Sequence, residues 1–197
     1  MIKNIKSKGL DDEYTIEMRT QFVNRARWFM KTLEAGLDNG LGWEFGHDAM
    51  LEAGRWTGYN QYPRNAGMKL FAKTHMSKMF EAAHEAEIVK LTDEEYEVEM
   101  HYCPLVEAFM EYTQDEEYIA KLCECACMSE KGLAETFHFN FECKKPLAKA
   151  TKNVCCALPN NPLLTQNPPV QQGDFFVDKK GRCSFTAPPK MRINSRK

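Results

Sequence analysis

The chain has 197 residues, of which 43% are hydrophobic and 27% charged, and its formal net charge is −2. This composition is typical of a globular domain with a core of its own and excludes a largely disordered chain. The near balance of charge excludes a global positive field for nucleic acid, and no stretch reaches the ~18 apolar residues that a membrane span needs.

The basic residues 1–8 are followed by neither an apolar core nor a cleavage site, so we expect no signal peptide and a cytoplasmic protein. Disulfides are typical of exported proteins, and we therefore expect the eight cysteines to be reduced. A small molecule is the expected partner. We expect the protein to bind neither nucleic acid nor a membrane. The sequence leaves open whether it forms an oligomer.

The first half of the chain is predicted to be helical. Apolar residues recur every three or four positions over residues 11–39, which indicates a long amphipathic helix. A second, weaker helix is predicted over residues 43–58. A third is predicted to begin at Pro63 and to continue to about Leu91.

The second half is predicted to mix strands and helices. Residues 96–102 alternate apolar and polar, which predicts a strand with one buried face. Cys103 and the proline after it end this strand and open a helix, because proline suits a first helical turn. A further helix is predicted over 115–130, and further strands over 134–143 and 154–158.

These elements predict an α+β fold, with N-terminal helices packed against a small antiparallel sheet and two further helices. A single domain is expected over residues 1–158, with a helical part over 1–91 and a strand–helix–helix–strands part over 92–158. Four prolines open the remaining segment, 159–197, which we interpret as an extension with a short hairpin over 175–185 and a basic tail.

Cys103 is the thiol with the clearest chemical interpretation. Its predicted position is the N-cap of a helix, where unpaired N–H groups and the helix dipole favour an anion. A thiol at such a position can have a lowered pKa and act as a nucleophile. The alternative is a structural cysteine at a strand-to-helix turn, since cysteine is a poor N-cap residue.

Cys123, Cys125 and Cys127 form a C-x-C-x-C run on a predicted helix. Positions 123 and 127 are one turn apart and share a face, whereas 125 points elsewhere. Cys123 and Cys127 could bind a metal ion with two further ligands from Cys103, Cys155, Cys156 or a histidine. The spacing differs from the usual C-x-x-C pair, and the alternative is that these small side chains pack where a helix meets the sheet.

Two other groups of residues suggest parts of a site. His138 and Glu142 share the polar face of the predicted strand and could move protons. Arg55 and Arg64 flank an aromatic cluster that includes Trp56, and an arginine could bind a substrate carboxylate through two hydrogen bonds. The alternatives are a structural histidine and surface arginines that lie over aromatic rings.

Three short motifs follow one another in the second half of the chain. Cys103 precedes a proline at the start of a helix, Cys123 follows a leucine twenty residues later, and Cys156 lies two residues before Leu158 in a predicted strand. Over residues 101–158 these motifs resemble the L-2-amino-thiazoline-4-carboxylic acid hydrolase family. The chain departs from the family's pattern at Cys127, where an acidic residue is expected, and in the residues just before Cys156, 150–155, which contain no glycine.

The resemblance implies a hydrolase that acts on a C–N bond of a small cyclic amidine and opens 2-amino-thiazoline-4-carboxylate to carbamoyl-cysteine. Water, or a thiolate followed by water, would attack the amidine carbon. The catalytic residues expected on this basis are Cys103, Cys123, Cys156, His138 and Glu142.

Two other classes of function stay open. One is a metal- or cofactor-binding protein that uses Cys123 and Cys127 with Cys103 or Cys156. The other is a non-catalytic relative that binds a small molecule between the helices and the sheet.

Overall fold

A computed structural model describes residues 2–7, 9, 11–145, 154–159, 175–177 and 183–185, with side chains up to residue 143. The chain divides into two units, Met1–Leu164 and Thr165–Lys197. The described part of the second unit is an antiparallel hairpin, which confirms the predicted one. Its strands are β5 (Phe175–Val177) and β6 (Cys183–Phe185).

The first unit is an α+β structure, as predicted. Its helices are α1 (Glu13–Asp38), α2 (Trp43–Gln61), α3 (Met68–His75), α4 (Lys78–His84), α5 (Pro104–Tyr112) and α6 (Glu116–Glu135). Its strands are β1 (Ala86–Leu91), β2 (Glu95–Met100), β3 (Glu142–Lys145) and β4 (Val154–Pro159). The strands form one antiparallel sheet in the order β1-β2-β4-β3.

The long first helix was predicted correctly, and its start has a clear local cause. Asp12 is the N-cap residue, and its carboxylate accepts hydrogen bonds from the backbone N–H and the hydroxyl of Thr15 at 3.0 and 2.7 Å. Such a cap satisfies N–H groups that have no partner inside the helix. The apolar stripe of α1 is buried from Val23 to Leu33, and the helix packs against α4 and α5.

Helices α2 and α6 approach each other so closely that only glycine fits at two contact points. A Cβ atom on Gly54 would lie 1.9 Å from the carbonyl oxygen of Ser129. A Cβ atom on Gly132 would lie 2.0 Å from the carbonyl oxygen of Leu51. Backbone atoms cannot yield as a flexible side chain can, so these two glycines fix α6 against α2.

The prediction of one helix from Pro63 to Leu91 was wrong. The Ser77 hydroxyl accepts the N–H of Phe80 at 3.2 Å and starts α4 as a separate helix. Glu85 then ends α4 in the left-handed conformation, with φ of 49°. Its buried carboxylate accepts hydrogen bonds from Arg19 at 2.6 Å and from the backbone N–H of Ser7 at 2.9 Å. These distant partners stabilise a conformation that is strained for a residue with a Cβ atom.

The strand predicted over residues 134–143 was also wrong in its first part. Helix α6 continues to Glu135, residues 136–138 form a turn in which His138 has φ of 59°, and β3 begins at Glu142. The alternating phenylalanines pack from this turn instead. Phe137 and Phe139 lie edge-on to Phe71, with ring centroids 5.2 and 5.3 Å away.

None of the helices in the described part of the chain is long and apolar enough to cross a membrane.

Candidate active site

A cavity of about 660 Å³ lies between the helices and the sheet of the first unit. Its volume falls within the roughly 300–1,000 Å³ that is usual for small-molecule sites. The walls are mainly apolar and aromatic, and the titratable groups on them, apart from Arg25, Tyr62 and Tyr96, form two clusters. We call the first the thiol cluster; it consists of Cys103, Cys123, Cys127 and Cys143. We call the second the imidazole–carboxylate cluster; it consists of His75, His84 and Glu130.

Cys103 lies at the N-cap of α5, as the sequence predicted. Its backbone is held by the side chain of Asn4 through two hydrogen bonds. The Cys103 N–H donates to Asn4 Oδ1 at 2.9 Å, and Asn4 Nδ2 donates to the Cys103 carbonyl oxygen at 2.9 Å. The N-terminal segment therefore fixes the position from which this half-buried thiol borders the cavity.

The sequence left open whether the helix start lowers the pKa of Cys103, and in the structure this pKa is raised. Burial raises the pKa of this thiol, and the nearby N–H groups of Leu105 and Val106 lower it by less than burial raises it. Neither N–H group makes a capping hydrogen bond of standard geometry to the sulfur. Cys103 is therefore a neutral thiol at neutral pH, although the N–H groups lie where they would stabilise a thiolate.

Cys123 and Cys127 are neutral for related reasons. A hydrogen bond with Cys143, followed by burial, raises the pKa of Cys127 well above its ordinary value. Burial, followed by repulsion from Cys103 and Cys143, raises the pKa of Cys123. The five cysteines whose side chains are described form no disulfide.

Cys125 points away from the cavity, as its position in the C-x-C-x-C run predicted. It is fully buried near Gly46 of α2, and burial raises its pKa to about 11. Within the described residues, no group of three or more His, Cys, Asp or Glu side chains could hold a metal ion. The proposed ligands Cys123 and Cys127 therefore have no third protein ligand in that part of the chain.

The imidazole–carboxylate cluster contains a charged group. His75 Nε2 lies 3.2 Å from Glu130 Oε2, and His75 Nδ1 lies 3.1 Å from the hydroxyl of Tyr96. Burial acts to raise the pKa of Glu130, but the attraction and hydrogen bond of His75, together with His84, outweigh it. The pKa of Glu130 is therefore lowered, and its carboxylate is ionised at neutral pH.

His84 is a neutral imidazole. Its Nδ1 donates a hydrogen bond to the Phe80 carbonyl oxygen at 3.2 Å, which leaves the lone pair on Nε2. Burial lowers the pKa of His84 to about 4, against weaker opposing effects from the Phe80 carbonyl and Glu130. The His84 carbonyl oxygen also accepts the N–H of Tyr102 at 3.1 Å, which holds the end of α4 beside Cys103.

A family model described as L-2-amino-thiazoline-4-carboxylic acid hydrolase matches residues 43–158, more than half of the chain. The chain belongs to this family. The resemblance found in the sequence is thus confirmed. No curated protein and no solved structure gives a significant match. The segment that matches the hydrolase family contains both clusters of the cavity.

Several residues expected to act in this hydrolase-family chain do not border the cavity. His138 lies half-buried in the turn after α6, and Glu142 is exposed at the start of β3. Arg55 forms ion pairs with Glu52 and with Glu135, the second at 2.6 Å.

Trp56 keeps 56% of its surface exposed, and Arg64 is also exposed. Neither borders the cavity. Cys156 lies in β4, where its backbone is the register partner of Val98 and Cys143. Its side chain lies outside the described ones. Of the five expected catalytic residues, Cys103 and Cys123 are thus brought together at the cavity.

The sequence contained a signal for one group that was missed. Cys123, Cys127 and Glu130 lie at positions i, i+4 and i+7 of α6, which places them on one helical face. The resemblance led us to expect an acidic residue at position 127. Glu130 supplies a carboxylate about one turn beyond that position. His75 and His84 could not be found in this way, because α3 and α4 are brought to the cavity by tertiary packing.

Proposed function

We propose that this protein hydrolyses a small cyclic amidine and opens 2-amino-thiazoline-4-carboxylate, or a close analogue, to carbamoyl-cysteine. Family membership supports the reaction class. The observation that carries the proposal is Cys103, because this residue borders the cavity and its sulfur lies beside two backbone N–H groups at the start of α5.

The product determines which bond must break. Carbamoyl-cysteine keeps both C–N bonds of the amidine carbon, whereas the ring sulfur becomes a free thiol. The reaction is therefore hydrolysis of the ring C–S bond, and this refines the expectation of a C–N bond.

The proposed first step is attack by sulfur. The Cys103 thiol gives up its proton and its sulfur bonds to the amidine carbon, and the ring C–S bond then breaks. The departing sulfur takes up the proton as a thiol, which leaves an isothiourea on Cys103. In the second step water attacks the same carbon and loses a proton. Cys103 leaves with that proton, and the urea of carbamoyl-cysteine is released with one water consumed.

A base must accept the proton, because the Cys103 thiol is neutral. We assign this role to His84, whose Nε2 carries a lone pair and whose backbone is bonded to the residue beside Cys103. The imidazolium that forms would be stabilised by the ionised Glu130, which attracts positive charge on His84. The backbone N–H groups of Leu105 and Val106 would stabilise negative charge on the sulfur during attack.

Cys123 borders the same cavity and stays a candidate for positioning the substrate. A role for Cys156 stays a proposal on the basis of its place in β4 opposite Cys143. His138 and Glu142 are less well supported, because proton transfer requires hydrogen-bond contact with the reacting groups.

The test is to incubate the reduced protein with 2-amino-thiazoline-4-carboxylate and to follow free thiol and the mass of carbamoyl-cysteine. We expect both to appear at the same rate. The proposal is overturned when a folded protein forms no product, and a rise in its melting temperature with the same compound would then identify a non-catalytic binding protein. A His138→Gln and Glu142→Gln double variant serves as control and should retain turnover.

A further inference from the structure

Helix α1 forms part of the cavity wall although it precedes the segment that matches the family. The matched residues begin at 43, whereas α1 ends at Asp38. Phe22, Arg25 and Phe29 of this helix nevertheless border the cavity. The family match therefore assigns no role to this wall.

The arginines of α1 differ in what they bind. Arg19 is buried and pairs with Glu85 at 2.6 Å, and Arg27 is exposed and pairs with Glu111 at 2.7 Å. For Arg25 no carboxylate of the described residues lies within ion-pair distance. Its guanidinium lies over the ring of Phe22, 5.6 Å from the ring centroid. Among the side chains that are described, Arg25 is also the one arginine or lysine that borders the cavity.

Arg25 lies on the same side of the cavity as the proposed reacting groups. Phe22, whose ring lies under the Arg25 guanidinium, packs edge-on against His84 with ring centroids 4.8 Å apart. The carbonyl of His84 accepts the N–H of Tyr102, the residue before Cys103. A cation with no carboxylate partner in the described structure is thus connected to the base through two packed contacts, and a backbone hydrogen bond connects the base to the residue before the nucleophile.

We propose that Arg25 binds the carboxylate of the substrate at the mouth of the cavity, and this inference rests on the proposed function. A guanidinium matches a carboxylate through two parallel hydrogen bonds. Because Arg25 is exposed and Cys103 half-buried, the carboxylate lies toward solvent and the amidine ring toward the thiol. Arg25 therefore makes the enzyme select acidic cyclic amidines over neutral ones.

The experiment compares 2-amino-thiazoline-4-carboxylate with 2-amino-thiazoline, which lacks the carboxylate. Wild type should prefer the acid in kcat/KM by about 10- to 100-fold, since a hydrogen bond to a charged group contributes about 1.5–3 kcal/mol. Arg25→Met should lose this preference through a higher KM for the acid and should leave the rate on the neutral compound unchanged. Arg25→Lys should recover part of the preference. Arg27→Met, two residues away on α1, is the matched control and should behave like wild type.

The remaining outcomes show whether the role of Arg25 or the proposed function is wrong. An equal loss on both compounds in Arg25→Met makes Arg25 structural, and an unchanged preference gives the carboxylate another partner; either result overturns the inference and leaves the proposed function standing. When wild type turns over neither compound, the proposed function fails. The inference is then decided by calorimetry with thiazole-4-carboxylate, which should bind wild type and bind Arg25→Met about 10- to 100-fold more weakly. Equal binding to both proteins overturns it.

Discussion

The thiol cluster and the imidazole–carboxylate cluster border one cavity. Cys103 and Cys123 of the first cluster are nevertheless neutral, whereas Glu130 of the second is ionised. The thiols have one another as neighbours, and burial raises the pKa of Cys103 and Cys123, so they stay neutral. Burial acts on Glu130 in the same direction, but its contacts with His75 outweigh it and the carboxylate stays ionised. Burial therefore keeps Cys103 and Cys123 neutral, whereas a nearby imidazole keeps Glu130 charged.

This difference has a consequence for the reaction. A neutral thiol is a weak nucleophile, so Cys103 must lose its proton while it attacks. The neutral His84 and the ionised Glu130 together provide an acceptor and a compensating charge. The proposed reaction therefore needs both clusters, the thiol cluster for the nucleophile and the imidazole–carboxylate cluster for the base.

After removal of the Cys103 thiol itself, the largest effect is expected from the loss of the proposed base. His84→Gln keeps a donor for the Phe80 carbonyl but removes the imidazole, and kcat should fall about 100- to 10,000-fold, the usual contribution of a general base. Steady-state turnover of 2-amino-thiazoline-4-carboxylate measures this. His138→Gln is the matched control outside the cavity. A loss below tenfold in His84→Gln would assign proton transfer to another group.

The second effect concerns stability in acid. The pKa of His84 is about 4 in the folded protein, against an ordinary value of 6.5. Between these values the unfolded chain binds a proton that the folded chain does not, so the free energy of unfolding falls as the pH falls from 6.5 to 4. The loss is about 3 kcal/mol, at 1.36 kcal/mol per pKa unit.

Urea unfolding at pH 7, 5.5 and 4 measures this loss. Glu130, His75 and Arg19 are the charged or titratable neighbours that act on His84, and the lowered pKa of Glu130 adds a loss at still lower pH. In His84→Gln most of the slope between pH 6.5 and 4 should disappear. An unchanged slope in this variant would show that His84 is not the group responsible.

The smallest effect is expected for the rate at which the Cys103 thiol is alkylated. Because the pKa of Cys103 is raised above 9.0, its alkylation by iodoacetamide should become about tenfold faster per pH unit from pH 7 to 9, since only the thiolate reacts. Peptide mass analysis after timed alkylation gives the rate at each cysteine. A rate at Cys103 that is already constant near pH 7 would indicate a thiolate in the resting protein.

Elements with local causes could be predicted from the sequence. The periodic apolar residues of α1, and the proline after Cys103, act through neighbours along the chain, and both predictions were confirmed. The end of α4 was missed, because the left-handed conformation of Glu85 is held by Arg19 and Ser7, which are far from it in sequence. The break between α3 and α4 does have a local cause in the cap residue Ser77, which was overlooked. The strand over 134–143 was predicted from phenylalanines that instead pack from a turn.

Fewer residues of the candidate site than elements of the fold could be predicted from the sequence. Cys103 was found from its predicted N-cap position and Cys123 from its place in the C-x-C-x-C run, and the family motifs contain both residues. Glu130 could have been found from its helical spacing to Cys127, but neither histidine of the cavity shares an element with a thiol. Arg25 was not singled out, because the feature that distinguishes it from Arg19 and Arg27 is the absence of a carboxylate partner among the described residues.

The most direct test of the central claim compares product formation by Cys103→Ala and Cys125→Ala. Both variants remove one thiol, but only Cys103 borders the cavity, while Cys125 packs between α2 and α6. The account predicts that Cys103→Ala forms no carbamoyl-cysteine above the uncatalysed rate, whereas Cys125→Ala, once shown to be folded, retains kcat. Undiminished product formation by folded Cys103→Ala would contradict attack by this thiol and would assign the first step to water.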